Sequence, residues 1–251
     1  MANNVVCIIQ ARTGSSRLPN KVLKKVEGKE LLLHTVDRVL QSKFIDKVIV
    51  ATTTLGGDDA VVSLLSGYNP DVSVFRGSED DVLDRYYLAA IHAKADIVVR
   101  ITSDCPLIDH GIIDRVITVF LKGKHDYVSN TLTRRTFPRG LDVEVISFSA
   151  LEKVWNIAKL PEEREHVTWY IRRHPKEFNT FCIEQDPDRS SLRWTVDEED
   201  DLKFIKEVYA YLYPSNADFT SDDVLNLIQR HPWIANINAH VEQKMVGGKR
   251  Q

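Results

Sequence analysis

The sequence predicts an α/β fold with a mostly parallel sheet, and two observations support this prediction. In the first half of the chain, short apolar runs rich in β-branched residues have the length and composition of buried strands. Between these runs lie longer segments whose apolar residues recur at helical spacing. That β-α-β-α order implies a mostly parallel sheet covered by helices on both faces.

Four strands are predicted in this half, namely NVVCIIQ (4–10), DKVIVATT (46–53), VSVFRG (72–77) and DIVVRITS (96–103). The predicted helices are LLLHTVDRVLQSK (31–43), DAVVSLLSGY (59–68), EDDVLDRYYLAAIHAKA (79–95) and DHGIIDRVITVFLKG (109–123). The third helix opens with acidic residues, as helix N-termini prefer, and Asp109 is a candidate N-cap of the fourth.

The second half of the chain has a different pattern. DYVSN (126–130) and LDVEVIS (141–147) are predicted strands, separated by the loop TLTRRTFPRG (131–140). Helices follow near 148–159, 161–174, 198–213 and 220–230, with strands near 179–185 and 192–196. We expect one domain over residues 1–240 with a lobe around 130–190, and a flexible tail at 241–251.

Composition limits the class of protein. The chain has 251 residues, 43% of them hydrophobic, which is enough for a well-buried core. A net charge of -3 does not favour a nucleic-acid-binding protein, so any anion site must be local. Three cysteines without a C-x-x-C pair indicate a reducing compartment. Without a signal peptide or a long apolar run, we expect a cytoplasmic protein that makes no contact with membranes.

A short loop after the first strand, QARTGSSRLPNK (10–21), combines small residues with cations. Arg12, Arg17 and Lys21 surround Gly14 and Ser15. Backbone N–H groups hold phosphate where side chains are small, and Arg and Lys add charged donors. The loop matches neither the Walker A nor the dinucleotide pattern. Phosphate binding is favoured slightly over a solvated surface turn.

Two aspartates follow predicted strands. Asp104, in TSDCPLID (102–109), follows the fourth strand, and a carboxylate beside a phosphate loop is a natural ligand of Mg²⁺. Asp197, in RWTVDEED (193–200), lies between a strand and a helix. Taken alone, Asp197 is more typical of a helix N-cap. For Asp104 that alternative is weaker, because Asp109 is better placed to cap the next helix.

Five segments, taken in order along the chain, resemble the cytidylyltransferases of the spore-coat polysaccharide biosynthesis type. They are IIQARTGSSRLPNKVL, RITSDCPLID, PRGLDVEVIS, REHVTWYIRRHP and LRWTVDEEDDL. These are relatives of the CMP-sialic acid and CMP-3-deoxy-octulosonate synthetases. The resemblance runs from about residue 5 to residue 230. It implies a glycosyltransferase A-like (nucleotide-diphospho-sugar transferase) three-layer sandwich and a homodimer.

The resemblance also implies roles for individual residues. The triphosphate of CTP would be bound by Arg12, Gly14, Ser15, Arg17 and Lys21, and Mg²⁺ by Asp104 and Asp197. Arg12, Arg17, Lys21 and Asp104 would carry catalysis. Thr52, Gly77 and Ser78 fall where the family builds its base pocket.

The implied reaction is attack by a substrate oxygen on the α-phosphorus of CTP, with release of pyrophosphate. Arg139, Asp142 and Glu144 are candidate acceptor-binding residues, because the arginines of 134–139 suggest an anionic acceptor such as an acidic sugar or sugar phosphate. A solvated basic loop and a surface-facing strand edge are the alternatives. His166 fits a site residue and a solvated helix start equally well. For Trp169, packing in the core or at a dimer interface is favoured over a stacking platform.

Two other functions fit the same pattern less well. A glycosyltransferase that uses a nucleotide sugar would usually have an Asp-x-Asp metal motif, and TSDCP has one acid. A nucleotide-binding protein without catalysis would be expected to lack part of the set Asp104, Asp197, Arg17 and Lys21. A dehydrogenase is disfavoured by the missing glycine fingerprint.

Overall fold

The computed structural model describes residues 3–243. Its strands are Val5–Gln10 (β1), Lys25–Val26 (β2), Lys29–Glu30 (β3), Lys47–Thr53 (β4), Val72–Gly77 (β5), Ile97–Thr102 (β6), Tyr127–Ser129 (β7), Glu144–Ser147 (β8) and Thr180–Cys182 (β9). Its α-helices are Leu31–Leu40 (α1), Asp59–Leu65 (α2), Val82–Ala93 (α3), His110–Lys122 (α4), Phe148–Ile157 (α5), Pro161–Glu165 (α6), Trp169–Arg173 (α7), Glu199–Leu212 (α8), Ser221–Arg230 (α9) and Pro232–Asn236 (α10). Short 3₁₀ turns form at Lys21–Leu23 and Gly56–Asp58.

Seven strands form one sheet in the order β5-β4-β1-β6-β8-β7-β9. The strands of the first half, β5, β4, β1 and β6, pair in parallel. Strand β8 is antiparallel to both β6 and β7, and β7 pairs with β9 in parallel. The mostly parallel mixed sheet predicted from the sequence is therefore confirmed.

Helices cover both faces of this sheet, because its central strands are apolar on both faces. On β1, Val5, Cys7 and Ile9 pack with residues of α1, α2 and α4. Val6 and Ile8 point to the opposite face and pack with residues of α3 and α5. Alternate side chains of a strand point to opposite faces, so a continuous apolar run buries both. The three layers agree with the predicted sandwich.

A third apolar cluster lies beside the sheet rather than within these layers. It joins α8, α9 and α10 to Leu107, Leu141 and Trp194. The helix α10 was not predicted from the sequence. This cluster packs the last part of the chain onto the loops that follow β6 and β7.

Several predicted elements differ in the structure. Residues 192–196 form one isolated bridge, between Arg193 and Arg139, instead of a strand. Their apolar side chains, such as Trp194, pack into the third cluster, and packing produced the strand-like pattern. The predicted helix 161–174 is split into α6 and α7, because Val167 takes the left-handed backbone angle φ 43°. The predicted strand 141–147 begins only at Glu144.

The predicted N-cap of α4 is confirmed. The Asp109 carboxylate accepts hydrogen bonds from the backbone N–H groups of Gly111 and Ile112. None of the helices in residues 3–243 has the length and hydropathy to cross a bilayer. Of the predicted flexible tail, 244–251 lies outside the described residues, whereas Gln243 accepts a hydrogen bond from Arg193 at 2.7 Å.

Candidate active site

Two adjoining clefts open at the carboxyl ends of β1 and β6, where ligands of parallel sheets bind. We call them the larger cleft, about 650 Å³, and the smaller cleft, about 230 Å³. The loop after β1 lines the larger cleft, and residues of the predicted lobe line the smaller one. Five residues line both clefts and mark their border: Arg17, Thr102, Asp104, His166 and Asp197.

At this border, one ammonium group joins the two predicted metal ligands. The Nζ atom of Lys21 donates to Oδ2 of Asp104 at 2.8 Å and to Oδ1 of Asp197 at 2.9 Å. It also donates to the backbone carbonyl of Val196 at 2.8 Å. The structure therefore brings three residues together that are far apart in the sequence.

The charges at the border stabilise one another. Burial alone would lower the pKa of Lys21, but the charges of Asp104 and Asp197 outweigh it and raise that pKa to about 12. Burial alone would raise the pKa of Asp104, but the nearby Lys21 ammonium holds it below its usual range. Both groups are therefore charged at neutral pH.

Asp197 does not cap the helix that follows it. The backbone N–H groups of Asp197 and Glu198 donate to the carboxylate of Asp201 at 2.9 and 3.1 Å. Glu198 is therefore the N-cap of α8, with Asp201 as the N3 residue of a capping box, and the Asp197 carboxylate lines both clefts. This carboxylate forms ion pairs with Arg17 at 3.1 Å and with Arg193 at 3.0 Å.

Gly14 and Ser15, the small residues of the loop after β1, line the larger cleft. Asp58 anchors the loop, since its carboxylate accepts hydrogen bonds from the backbone N–H and the hydroxyl of Thr13, each at 2.7 Å. Arg12 lies on the cleft with 44% of its side chain exposed and a loose 3.5 Å contact to Glu79. These residues leave room for an anion.

The three residues predicted for a base pocket do not line the larger cleft. Thr52 is fully buried, and its hydroxyl has no hydrogen-bond partner among the described residues. Gly77 and Ser78 both contact Arg85, whose guanidinium donates to the Ser78 carbonyl. Their assignment as base-contacting residues stays a prediction, and Arg85 is the one of these neighbours that lines the larger cleft.

Arg85 is a residue that the sequence analysis missed. It is 2% exposed, lines the larger cleft, and its buried Nε has no hydrogen-bond partner in the described part of the chain. Burial, followed by repulsion from Arg12, lowers its pKa. Arg85 lies in the first turn of the amphipathic helix α3, and a charged residue in such a helix is typically on the face that points to solvent.

The aspartate pair suits a hard cation. Both carboxylates lie within hydrogen-bond distance of one ammonium position, and oxygen ligands are what Mg²⁺ prefers. Within residues 3–243, no group of three or more His, Cys, Asp or Glu side chains is arranged around a common metal position. Two carboxylates fit a metal that takes its other ligands from phosphate and water.

In the smaller cleft, the three predicted acceptor residues have different surroundings. Asp142 lines the cleft and forms a two-pronged ion pair with Arg135. Arg139 also lines the cleft, and burial together with repulsion from Arg135 lowers its pKa to about 10. An arginine held near other cations favours the arrival of an anion.

Glu144 is more buried than a strand-edge residue would be, with 3% of its surface exposed. Its carboxylate pairs with Arg100 and Arg172, and it accepts hydrogen bonds from Tyr127 and Thr168 at 2.6 and 2.9 Å. Burial would raise its pKa, but the two arginines hold it well below the usual range. The side chain forms the floor of the smaller cleft and orients the arginines above it.

Gly140 lets the chain pass close to another backbone segment. Its φ is +104°, and a Cβ added there would lie 2.6 Å from the backbone nitrogen of Thr195. Only glycine fits this position without displacing backbone atoms. Trp169, predicted to pack in the core or at a dimer interface, is half-buried and lines the smaller cleft.

The fold and site can be compared with known proteins. The sequence matches the family described as Cytidylyltransferase over residues 6–220. It is also similar to the spore coat polysaccharide biosynthesis protein SpsF of Bacillus subtilis (strain 168), with 32% identity over 240 residues, covering 92% of this chain and 96% of SpsF.

Solved structures are similar as well. One is the structure of a cytidylyltransferase from Leptospira borgpetersenii serovar Hardjo-bovis, with a TM-score of 0.89, 35% identity, and coverage of 98% of this chain and 100% of that one. Another is that of CMP:2-keto-3-deoxy-manno-octonic acid synthetase complexed with CTP, with a TM-score of 0.63, 19% identity, and coverage of 82% and 98%. These similarities confirm the predicted glycosyltransferase A-like fold.

Proposed function

The chain belongs to the cytidylyltransferase family, and on that premise we propose that it transfers CMP from CTP to an acidic sugar or a related anionic acceptor, with release of pyrophosphate. The observation that carries this proposal is the pair Asp104 and Asp197 at the border of two clefts. One cleft has the features of a triphosphate site, and the other has an excess of arginine side chains over carboxylates. The similarity to SpsF supports a role in surface polysaccharide biosynthesis.

CTP occupies the larger cleft in this proposal. Arg12, Arg17 and Lys21 supply charged donors to the triphosphate, and the loop at Gly14 and Ser15 supplies backbone N–H groups. A volume of about 650 Å³ is within the range of small-molecule sites, about 300 to 1,000 Å³. Arg85 adds a buried fork of donors in the same cleft, and an acceptor group of CTP would satisfy its unpartnered Nε.

Asp104 and Asp197 would hold the metal ion, which we propose to be Mg²⁺. Bound there, it would neutralise charge on the phosphate oxygens and lower the barrier to attack at the α-phosphorus. Lys21 already lies between the two carboxylates at 2.8 and 2.9 Å, so this position is built for positive charge. Arg17 and Lys21 stabilise the leaving pyrophosphate in the proposed reaction.

The acceptor occupies the smaller cleft. Arg139, whose pKa is lowered to about 10 by burial and by repulsion from Arg135, binds the anionic group of the acceptor. Asp142, held by Arg135, accepts hydrogen bonds from acceptor hydroxyls. Glu144 contributes indirectly, because its burial restricts it to holding Arg100 and Arg172 in place.

The two clefts meet where the reaction must occur. An acceptor oxygen at the border attacks the α-phosphorus of CTP, and the bond to pyrophosphate breaks. The protein contributes chiefly by positioning both substrates and by stabilising developing negative charge. Family membership argues against a nucleotide-sugar-dependent glycosyltransferase, and the retained set Arg17, Lys21, Asp104 and Asp197 argues against a protein without catalysis.

Pyrophosphate release tests this function. The purified protein is incubated with Mg²⁺, each of the four nucleoside triphosphates, and a panel of acidic sugars and sugar phosphates. We expect release with CTP and only with a subset of the acceptors, and chelation of the metal should abolish it. A protein that binds none of the four nucleotides by calorimetry would contradict the proposal. The same proposal places the protein in the cytoplasm as a homodimer. Light scattering tests the dimer.

A further inference from the structure

One border residue has no role in the reaction described so far. Of the five side chains that line both clefts, His166 is the one whose ordinary pKa lies near neutral pH. The other four are two metal-binding carboxylates, an arginine and a threonine. An imidazole at the point where acceptor and CTP meet is placed to exchange a proton with a reacting group.

The backbone holds His166 in this position. Val167, the next residue, is buried to 1% exposure in a left-handed conformation of φ 43°, which is strained for a β-branched side chain. Thr168 then donates from its hydroxyl to the buried Glu144 at 2.9 Å. The burial of Val167 and the hydrogen bond of Thr168 thus hold the turn between α6 and α7, which presents His166 to the clefts.

The charges around His166 come from several elements. Glu162 and Glu165 on α6 favour the protonated ring, as does Glu144 on β8, whereas Arg100 on β6 opposes it. Arg17, Asp104 and Asp197 line the same border. Burial is the largest influence and lowers the pKa of His166, so the ring is neutral at physiological pH and can accept a proton.

We propose that His166 is the general base of the reaction. Its imidazole takes the proton from an acceptor hydroxyl while that oxygen forms its bond to the α-phosphorus of CTP. The bond between the α-phosphorus and pyrophosphate breaks, and its electron pair leaves with pyrophosphate. This inference rests on the proposed function and deepens it, because it states which group of the acceptor reacts.

The chemical class of the nucleophile follows. A phosphate or phosphonate oxygen is already ionised at neutral pH and needs no base, whereas a hydroxyl does. The acceptor is therefore a molecule that attacks through a hydroxyl, while a separate anionic group is bound by Arg139. An acidic sugar that reacts at a hydroxyl fits both requirements.

The test compares wild type, His166→Gln and His166→Ala in single-turnover assays from pH 5 to 9 with saturating CTP. We expect the rate at pH 7.5 to fall by about 10²- to 10⁴-fold in both variants, the usual contribution of a general base. The acidic limb of the wild-type pH profile should disappear. CTP affinity, measured by calorimetry, should not change, and free imidazole should restore part of the His166→Ala rate.

His174→Gln is the matched control. This histidine ends the same segment, but its ring stacks on Tyr170 and lies outside the lining of both clefts, so its pH profile should match wild type. A His166→Gln enzyme with a wild-type rate, or with the acidic limb retained, would overturn the proposal while leaving the cytidylyltransferase activity intact. An acceptor that proves to react through a phosphate oxygen would overturn it too. If wild type releases no pyrophosphate from CTP with any acceptor, the proposed function itself fails.

Discussion

The Nζ atom of Lys21 lies 2.8 Å from Oδ2 of Asp104, although 83 residues separate the two in the chain. The contact joins the loop after β1 to the end of β6. It places the predicted triphosphate-binding cation directly against a predicted metal ligand. Substrate and metal binding must therefore rearrange this ion pair, and changes to either partner should have different consequences.

The first prediction concerns Asp104→Asn. Removing the carboxylate charge should lower the rate of pyrophosphate release by about 10²- to 10³-fold, as for other groups that stabilise transition-state charge. The thermal unfolding midpoint should change little, because the Lys21 ammonium keeps its contacts with the Asp197 carboxylate and the Val196 carbonyl. Asp200→Asn, which lies outside both clefts, is the control. Undiminished Mg²⁺-dependent release would contradict the metal assignment.

The second prediction concerns Lys21→Met, which keeps the aliphatic stem but removes the ammonium. CTP binding should weaken more than CMP binding, because only CTP carries the phosphates that Lys21 is proposed to contact. Calorimetry with both nucleotides measures this difference. The exposed Lys25, replaced by Met, serves as the control. Equal losses for CTP and CMP would count against contact with the triphosphate.

The third prediction concerns Glu144→Gln. The change leaves Arg100 and Arg172 partly buried without their counter-charge, and removing one partner of a buried ion pair costs about 3–5 kcal/mol of unfolding free energy. Urea unfolding at pH 7 measures the loss. Replacement of the exposed Glu242 by Gln should have little effect. A loss below about 1 kcal/mol would show that the arginines do not depend on this carboxylate.

The fourth prediction concerns Gly140→Ala. Because the new Cβ would meet backbone atoms of Trp194 and Thr195 at 2.6 Å, we expect a loss of about 1–3 kcal/mol in unfolding free energy. Arg139 should shift with it, raising KM for the acceptor while leaving CTP affinity unchanged. Gly56→Ala, where the nearest atom is 4.0 Å away, is the control. Unchanged acceptor kinetics would argue against a role for Arg139.

The fifth prediction concerns Asp58→Asn and its dependence on pH. Burial would raise the Asp58 pKa, but hydrogen bonds from Thr53 and Thr13 outweigh it and lower that pKa. The charged form therefore stabilises the fold above the unfolded pKa of about 4, and this contribution disappears as pH falls through the depressed value. Asp58→Asn should cost about 1.5–3 kcal/mol at neutral pH.

Urea unfolding of wild type and Asp58→Asn between pH 3 and 7 checks this sign. The difference between the two proteins should be constant near neutrality and shrink only below about pH 4. Asp59→Asn, the more exposed neighbour, is the control. A difference that stays constant down to pH 3 would show that the charge of Asp58 is not what stabilises the loop.

The sequence predicted the strands of the parallel part of the sheet well. Strand β5 has the predicted bounds, β1 and β4 each begin one residue later than predicted, and β6 is one residue shorter at each end. Their apolar runs are continuous because the strands are buried on both faces, and that signal is local. The failure at residues 192–196 has the opposite cause. Trp194 is buried by packing on distant helices, and burial alone does not distinguish such a segment from a strand.

The sequence predicted only part of the site. Residues that directly follow strand ends can be placed from the sequence, whereas contacts between distant segments cannot. Asp104 and the loop at 12–21 follow strand ends, so the topology of a parallel sheet brings them to one edge. The burial of Glu144 depends on Arg100 and Arg172, which come from separate elements. The inward position of Arg85 likewise depends on how α3 packs. Such contacts over long sequence distances leave no periodic pattern.

Asp104 and Asp197 belong to opposite halves of the chain, and a backbone hydrogen bond of 2.8 Å from Val196 N to Asp104 O joins the halves beside them. During synthesis on the ribosome, a nascent chain that has emerged only through β9 contains the loop after β1 and Asp104 but lacks Asp197. It also lacks the helices that pack this second half in place. In the proposed reaction, which needs Asp197, turnover of CTP must therefore await completion and docking of the C-terminal segment, and enzymatic activity would be a late marker of co-translational folding.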